Sequence, residues 1–172
     1  PALTNLGGIE LIQGNEQEAL SLLRKATESD PQLTNAWLNL ANGFFQLGNY
    51  IEAEVACLQE IKLNPNVFKS HLLLANILIE QKKLQEAEIH LQKTIELKPD
   101  FAGAHSKLGI IFRDLGNLKD AESSMRRAIE LNPNLFNSHF YLANILIEKK
   151  KLQEAEIHLR KAIEIKPDFF HA

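Results

Sequence analysis

The chain has 172 residues, 45% of them hydrophobic and 24% charged, which is ordinary globular usage and excludes a disordered or fibrous polymer. A formal net charge of −3 excludes the basic footprint of a nucleic-acid binder, and no apolar run approaches the roughly 20 residues that span a bilayer. The single cysteine, Cys57, excludes an intrachain disulfide and favours a reducing cytoplasm.

Taken in chain order, the first punctuation is Asp30-Pro31, because proline cannot continue a helix and biases its predecessor away from the helical region. A helix is predicted over Asn35–Leu47, with Leu40, Phe44 and Leu47 at helical spacing, and Gly48-Asn49 supplies the left-handed turn that stops it. The next helix has Glu52 and Glu54 in its first turn, where carboxylates favour the positive helix end, and the small Ala53 lets two antiparallel helices approach closely. It ends at Asn64-Pro65. The same events return before Lys98-Pro99, Asn132-Pro133 and Lys166-Pro167. Lys82 and Lys150 stand where Gly48 stands, and a lysine in a left-handed turn costs about 1 kcal/mol. Each unit therefore reads as a helical hairpin.

Three ladders fix the period. Prolines at 31, 65, 99, 133 and 167 step by 34 residues, as do Ala19, Ala53, Ala87, Ala121 and Ala155, and Leu6, Leu40, Leu74, Leu108 and Leu142. A period of roughly 20–50 residues signals a solenoid or array. No linker-like stretch divides the chain, so residues 1–172 read as one domain. A longer period is superposed. ANILIE at Ala75–Glu80 and KKLQEAEIHL at Lys82–Leu91 return at Ala143–Glu148 and Lys150–Leu159, displaced by twice the repeat. Duplication within a larger array accounts for this.

Trp37, Leu40, Ala41, Phe44, Ala53 and Pro65, with Leu108, Gly109, Phe112, Ala121, Ala128 and Pro133, resemble the sparse pattern of the tetratricopeptide repeat (TPR) family across the whole chain. The resemblance implies an all-α, right-handed superhelix of antiparallel helix pairs, with units at about 1–33, 34–67, 68–101, 102–135 and 136–169 and a truncated sixth beginning at 170–172. Departures from the pattern are Glu60 and Thr94 in place of a small alanine, and His71, His105 and His139 in place of the tryptophan. Two stretches, Asn35–Glu54 and Ala104–Glu122, look like the repeats of O-linked N-acetylglucosamine transferases, whose asparagine ladder is kept at Asn5 and Asn39 and broken at Leu73, Lys107 and Tyr141.

Chemistry finds few footholds. Packed helices lie about 8–10 Å apart, whereas imidazoles on one zinc need bonds of roughly 2.0–2.1 Å. The three histidines at the 34-residue step therefore read as packing at the helix seam, with no Cys, Asp or second His at i+3 or i+4. His90 and His158 read as surface-facing, and Cys57 as a small buried hydrophobe. The motifs G-x-S-x-G, H-E-x-x-H and G-x-x-x-x-G-K are absent, and Gln85-Glu86-Ala87-Glu88 beside Lys82 and Lys83 is helix-surface charge. No catalytic residue, metal or cofactor is expected.

The family lines its concave groove with the first helix of each unit. Carried across, those positions give Asn35, Leu38, Asn39, Asn42 and Phe45, then Lys69, Leu72, Asn76 and Ile79, then Ser106, Lys107, Ile110 and Arg113, then Asn137, Phe140, Tyr141, Asn144 and Ile147. Asparagine offers a donor pair and an acceptor, so Asn42, Asn76 and Asn144 can hold an extended backbone while apolar neighbours take side chains. The family's two-carboxylate clamp is absent, because its places read Leu38, Asn42, Leu73, Gly103 and Lys107. The resemblance thus implies a scaffold that binds a peptide or protein. Its alternative is the substrate-recognition arm of a larger glycosyltransferase- or sulfotransferase-like enzyme. The end at Phe169-Phe170-His171-Ala172 leaves the last helix uncapped, so self-association there is a further expectation. Abundant Lys, Asn, Ile and Leu point to an AT-rich bacterial source.

Overall fold

The computed structural model describes residues 1–170, among which there are ten α-helices and no strand. They pair as α1 (Ala2–Gln13) with α2 (Glu16–Ser29), α3 (Ala36–Gln46) with α4 (Tyr50–Leu63), and α5 (Phe68–Glu80) with α6 (Leu84–Leu97). The next pairs are α7 (Ala102–Asp114) with α8 (Leu118–Leu131) and α9 (Phe136–Glu148) with α10 (Leu152–Ile165), followed by a 3-10 turn, Pro167–Phe170. This is the all-α array of hairpins that the period predicts. The expected start of a sixth unit runs, at His171 and Ala172, outside the described residues.

Each hairpin reverses at one left-handed residue. Gly14, Gly48 and Gly116 have φ of 80°, 75° and 82°, and Lys82 and Lys150 take the same place with φ of 63° and 60°. The lysine turns keep the glycine hydrogen bonds. The N–H groups of Gly48 and Asn49 donate to the carbonyls of Phe45 and Phe44, and those of Lys82 and Lys83 donate to Ile79 and Leu78. The strain expected of these lysines is therefore present, at about 1 kcal/mol each.

Two compact units divide the chain, Pro1–Lys93 and a second beginning at Thr94. In the first, α1 packs on α2, α2 on α3, α3 on α4 and α4 on α5. Leu23, Leu74, Ile77, Leu78 and Leu91 are fully buried there, each contributing roughly 1.5–3 kcal/mol by leaving water. Leu6, the first rung of its ladder, is exposed, whereas Leu40 and Leu74 are buried. Cys57 is buried as expected, and its thiol donates to the Ser70 carbonyl at 3.1 Å. Burial, with Glu60 nearby, pushes that thiol up to about 12. Glu60 is fully buried where a small residue was expected. Its carboxylate accepts the backbone N–H of Asn35 at 3.1 Å and the Asn64 side-chain amide at 2.9 Å, so it holds the left-handed Asn35 that begins α3.

In the second unit α7 packs on α8, α8 on α9 and α9 on α10, around Met125, Leu142, Ile145 and Leu146. Gly109 is obligatory in this seam, since a Cβ there would lie 2.9 Å from Met125 Cε. Glu122, buried on α8, accepts from Lys149, from Lys151 Nζ at 3.3 Å and from Arg126 Nη2 at 2.8 Å. Burial alone would raise its pKa, but these three cations outweigh burial and hold it at about 2. In the first unit Glu54 accepts from Lys83 Nζ at 2.9 Å, and Gln81 donates to the Tyr50 carbonyl at 3.0 Å. Both arrangements tie the second helix of one pair to the turn of the next.

Two measurements check these readings. Lys82→Gly and Lys150→Gly should each raise stability by about 1 kcal/mol in urea unfolding, by relieving left-handed strain. Loss of stability in both would refute the strain. Glu122, with a folded pKa of about 2 against an ordinary value of 4.5, stabilises the fold above pH 4.5 and loses that contribution as pH falls toward 2. Glu122→Gln should therefore be less stable than wild type at pH 7, with the gap closing in acid. A gap independent of pH would show that the ion pairs contribute nothing.

Candidate functional site

The positions expected to line a groove fall on the first helix of each pair, in both units. In the first unit a pocket opens between α1 and α3, lined by Thr4, Asn5, Gly8, Ile9, Leu11, Ile12, Asn39, Asn42 and Gln46. It joins two of the expected residues, Asn39 and Asn42, to an amide-and-apolar wall from α1. Gly8 leaves room for Asn39, whose Nδ2 would lie 3.3 Å from an added Cβ. Asn42 donates one N–H to the Leu38 carbonyl at 3.1 Å, which orients its amide. On α5, Asn76 is half-buried, and its Oδ1 is buried with no hydrogen-bond partner among the described residues. Leu72 and Ile79 are half-buried on the same helix, and Lys69 is exposed. Asn35 is exposed at the start of α3, and Phe45 packs on Tyr50 with ring centroids 5.8 Å apart.

In the second unit the expected positions are more aromatic and cationic. The Arg113 guanidinium lies over the Tyr141 ring at 4.6 Å and is paired with Asp114 at 2.6 Å. Ile110 and Tyr141 rest on the buried core, and Phe140 stacks on Phe136 with centroids 5.8 Å apart. Lys107 and Asn144 are half-buried. The residues the groove reading passed over are Thr4, Gly8, Ile9, Leu11, Ile12 and Gln46. Only the position of Gln46, one turn beyond Asn42, could have announced it. Ile12 is 89% exposed, an apolar side chain left in water on a pocket wall.

The histidines follow a rule invisible in the periodicity alone. Trp37 Nε1 donates to the Pro31 carbonyl at 2.9 Å. Six residues after each following proline, His71, His105 and His139 bring Nε2 to the carbonyls of Pro65, Pro99 and Pro133 at 2.9, 3.0 and 3.0 Å. A carbonyl only accepts, so each ring carries its proton on Nε2. His71 and His139 are buried at the seam as expected.

His90 and His158 are not surface-facing. Each is half-buried on the second helix of its pair, where the hairpin brings it to the first: His71 Nδ1 lies 3.1 Å from His90 Nδ1, and His139 Nδ1 lies 3.0 Å from His158 Nδ1. A search at i+3 and i+4 misses a partner 19 residues away. Because His71 and His139 are protonated on Nε2, His90 and His158 donate from Nδ1. Burial, with His71 beside it, lowers the pKa of His90 against the pull of Glu86. Burial, His139 and Arg126 lower that of His158 against Glu154. No group of three metal-ligating side chains stands together among the described residues. No described helix is long and apolar enough to cross a membrane.

Residues 1–168 match the family described as the cilia and flagella-associated protein 70 C-terminal domain. No curated protein matches the chain. Among solved structures, MamA is similar with a TM-score of 0.88 at 20% identity over 96% of this chain and 97% of that one. A MamA fragment from Desulfovibrio magneticus RS-1 gives 0.88 at 22% identity over 97% and 94%. YrrB, described as a TPR protein with an unusual peptide-binding site, gives 0.83 at 22% identity over 96% and 86%. At such identities these likenesses establish a shared fold.

Proposed function

The chain belongs to the tetratricopeptide-repeat family described as the cilia and flagella-associated protein 70 C-terminal domain, and on that premise we propose that it is a non-catalytic scaffold holding an extended peptide segment of a partner protein. The observation that carries this reading is the open pocket between α1 and α3, where Asn39 and Asn42 stand beside the apolar Ile9 and Ile12. Asn42 has its amide oriented by the Leu38 carbonyl and lines the pocket beside α1. Ile9 and Ile12 then offer apolar contact to side chains of the same segment. The peptide-binding site named for YrrB is that protein's own, and it supports the reading by shared fold. The remaining expected positions of the first unit, Asn35, Asn39, Phe45, Lys69, Leu72 and Ile79, extend this proposed surface, and Lys107, Ile110, Arg113, Phe140, Tyr141 and Asn144 form the proposed surface of the second unit by itself.

Self-association through α10 belongs to the same proposal. Leu152, Ile157 and Ile163 on that helix are exposed.

Two experiments test these readings. A random peptide display library is panned on the wild-type chain, and binding of a selected peptide is then measured to Asn42→Ala/Asn76→Ala. Loss of two amide contacts should weaken it by roughly tenfold to a hundredfold, and unchanged affinity would move the site off these helices. Light scattering over a concentration series should show a rising mass that Ile157→Lys abolishes. A constant monomer mass for the wild type rules out self-association.

A further inference from the structure

We propose that the His71–His90 pair and its copy His139–His158 are two binding sites for a late first-row divalent cation, copper(II) above all, each formed by two Nδ1 atoms. The spacing suits ligation. Nitrogens bound to one such ion at roughly 2.0–2.1 Å stand about 3.3 Å apart in a tetrahedron and about 2.9 Å apart at right angles. The two pairs measure 3.1 and 3.0 Å.

The second ring nitrogens are arranged as a metal site requires. A ligating histidine usually hands its other N–H to a backbone carbonyl or carboxylate, which fixes the tautomer and raises the basicity of the ligating nitrogen. Here the Pro65 and Pro133 carbonyls do this for His71 and His139, at 2.9 and 3.0 Å, and leave the Nδ1 lone pair aimed at its partner histidine. His105 has the same carbonyl contact, but 19 residues on stands Ser124, so the middle repeat forms no pair. Glu86 and Glu154 lie one helical turn before His90 and His158, close enough to act on their charge, and favour a cation there.

The donor set also fixes what kind of site this is. With no third protein ligand among the described residues, water completes the coordination, so the ion exchanges and is not structural. Imidazole donors suit copper, nickel and zinc, and copper(II) binds most strongly in that order. In the second unit an open groove lined by Pro133, His139, Ile157, Arg160, Lys161 and Glu164 reaches His139. Arg126, which acts on His158, makes that site the weaker of the two. On ligation of a neutral pair the proton of His90 moves from Nδ1 to Nε2, so none is released.

Copper(II) titration with calorimetric stoichiometry and electron paramagnetic resonance tests this. The wild type should bind two equivalents with nitrogen hyperfine structure. His90→Gln and His158→Gln should each bind one, that of His90→Gln being the weaker, and the double variant should lose at least tenfold in affinity at both sites. His105→Gln should bind as wild type does. Copper should also raise the melting temperature of the wild type and leave that of the double variant unmoved, a readout that circular dichroism of each folded variant accompanies. Should His90→Gln fail to fold, His90→Asn replaces it. No copper binding by the wild type, or as many equivalents at the same affinity in the double variant, overturns the proposal.

Discussion

Everything in this molecule depends on how closely the two helices of a hairpin approach. Ala19, Ala53, Ala87, Ala121 and Ala155 are essentially without exposure, one per pair, near the start of each second helix. A larger side chain there would separate the helices and leave the leucine and isoleucine contacts beneath it under-packed. Opposite these alanines the first helices carry Gly7, Ala41, Ala75, Gly109 and Ala143, at the same step, and Gly7 and Gly109 stand where a Cβ would meet Leu23 or Met125 within 3 Å. Small residues on both sides thus set the interhelical distance. The left-handed turn residue follows as the way to reverse the chain over so short a gap.

That distance in turn decides what can stand at the seam. A ring N–H six residues after a proline reaches the proline's carbonyl whether it belongs to indole or imidazole, which is why Trp37 and the three histidines occupy one structural place. The exchange is not neutral in its consequences. Indole has one nitrogen and is satisfied, whereas imidazole has a second that needs a partner in a buried setting. His90 and His158 supply it. At His71 and His139 the substitution on the first helix and the histidine on the second are one feature, whereas Ser124 stands in that place for His105.

The fold was legible because its determinants are local and repeated: Pro31 to Pro167 in strict step, Gly48 before its helix, Ala53 after it. The lysines at 82 and 150 were readable as left-handed for the same reason, since their neighbours repeat those of Gly48. What escaped was whatever depends on contacts between helices. Glu60 reads only as a departure from a small alanine, yet it meets the Asn35 N–H from 25 residues away. His90 looked solvated because a helical surface pattern carries no information about the opposing helix. The groove positions came by resemblance and sit on the expected helices, but the unmet oxygen of Asn76 is a property of its surroundings alone.

The helices, and the ring contacts to the proline carbonyls, repeat every 34 residues, but two polar sets repeat every 68. Glu54 with Lys83 returns as Glu122 with Lys151, and His71 with His90 returns as His139 with His158, each displaced by twice the repeat. Apolar seams need only size and shape, which every unit satisfies, so they conform to the shorter period. Charges and imidazoles need named partners on a neighbouring helix, and both partners must be present for either to be stable in a partly buried place. Duplicating a single unit would have separated Glu54 from its lysine, whereas duplicating two adjacent units carries the whole set across intact. The longer period is therefore the smallest piece that carries the Glu54–Lys83 contact and the histidine pair together.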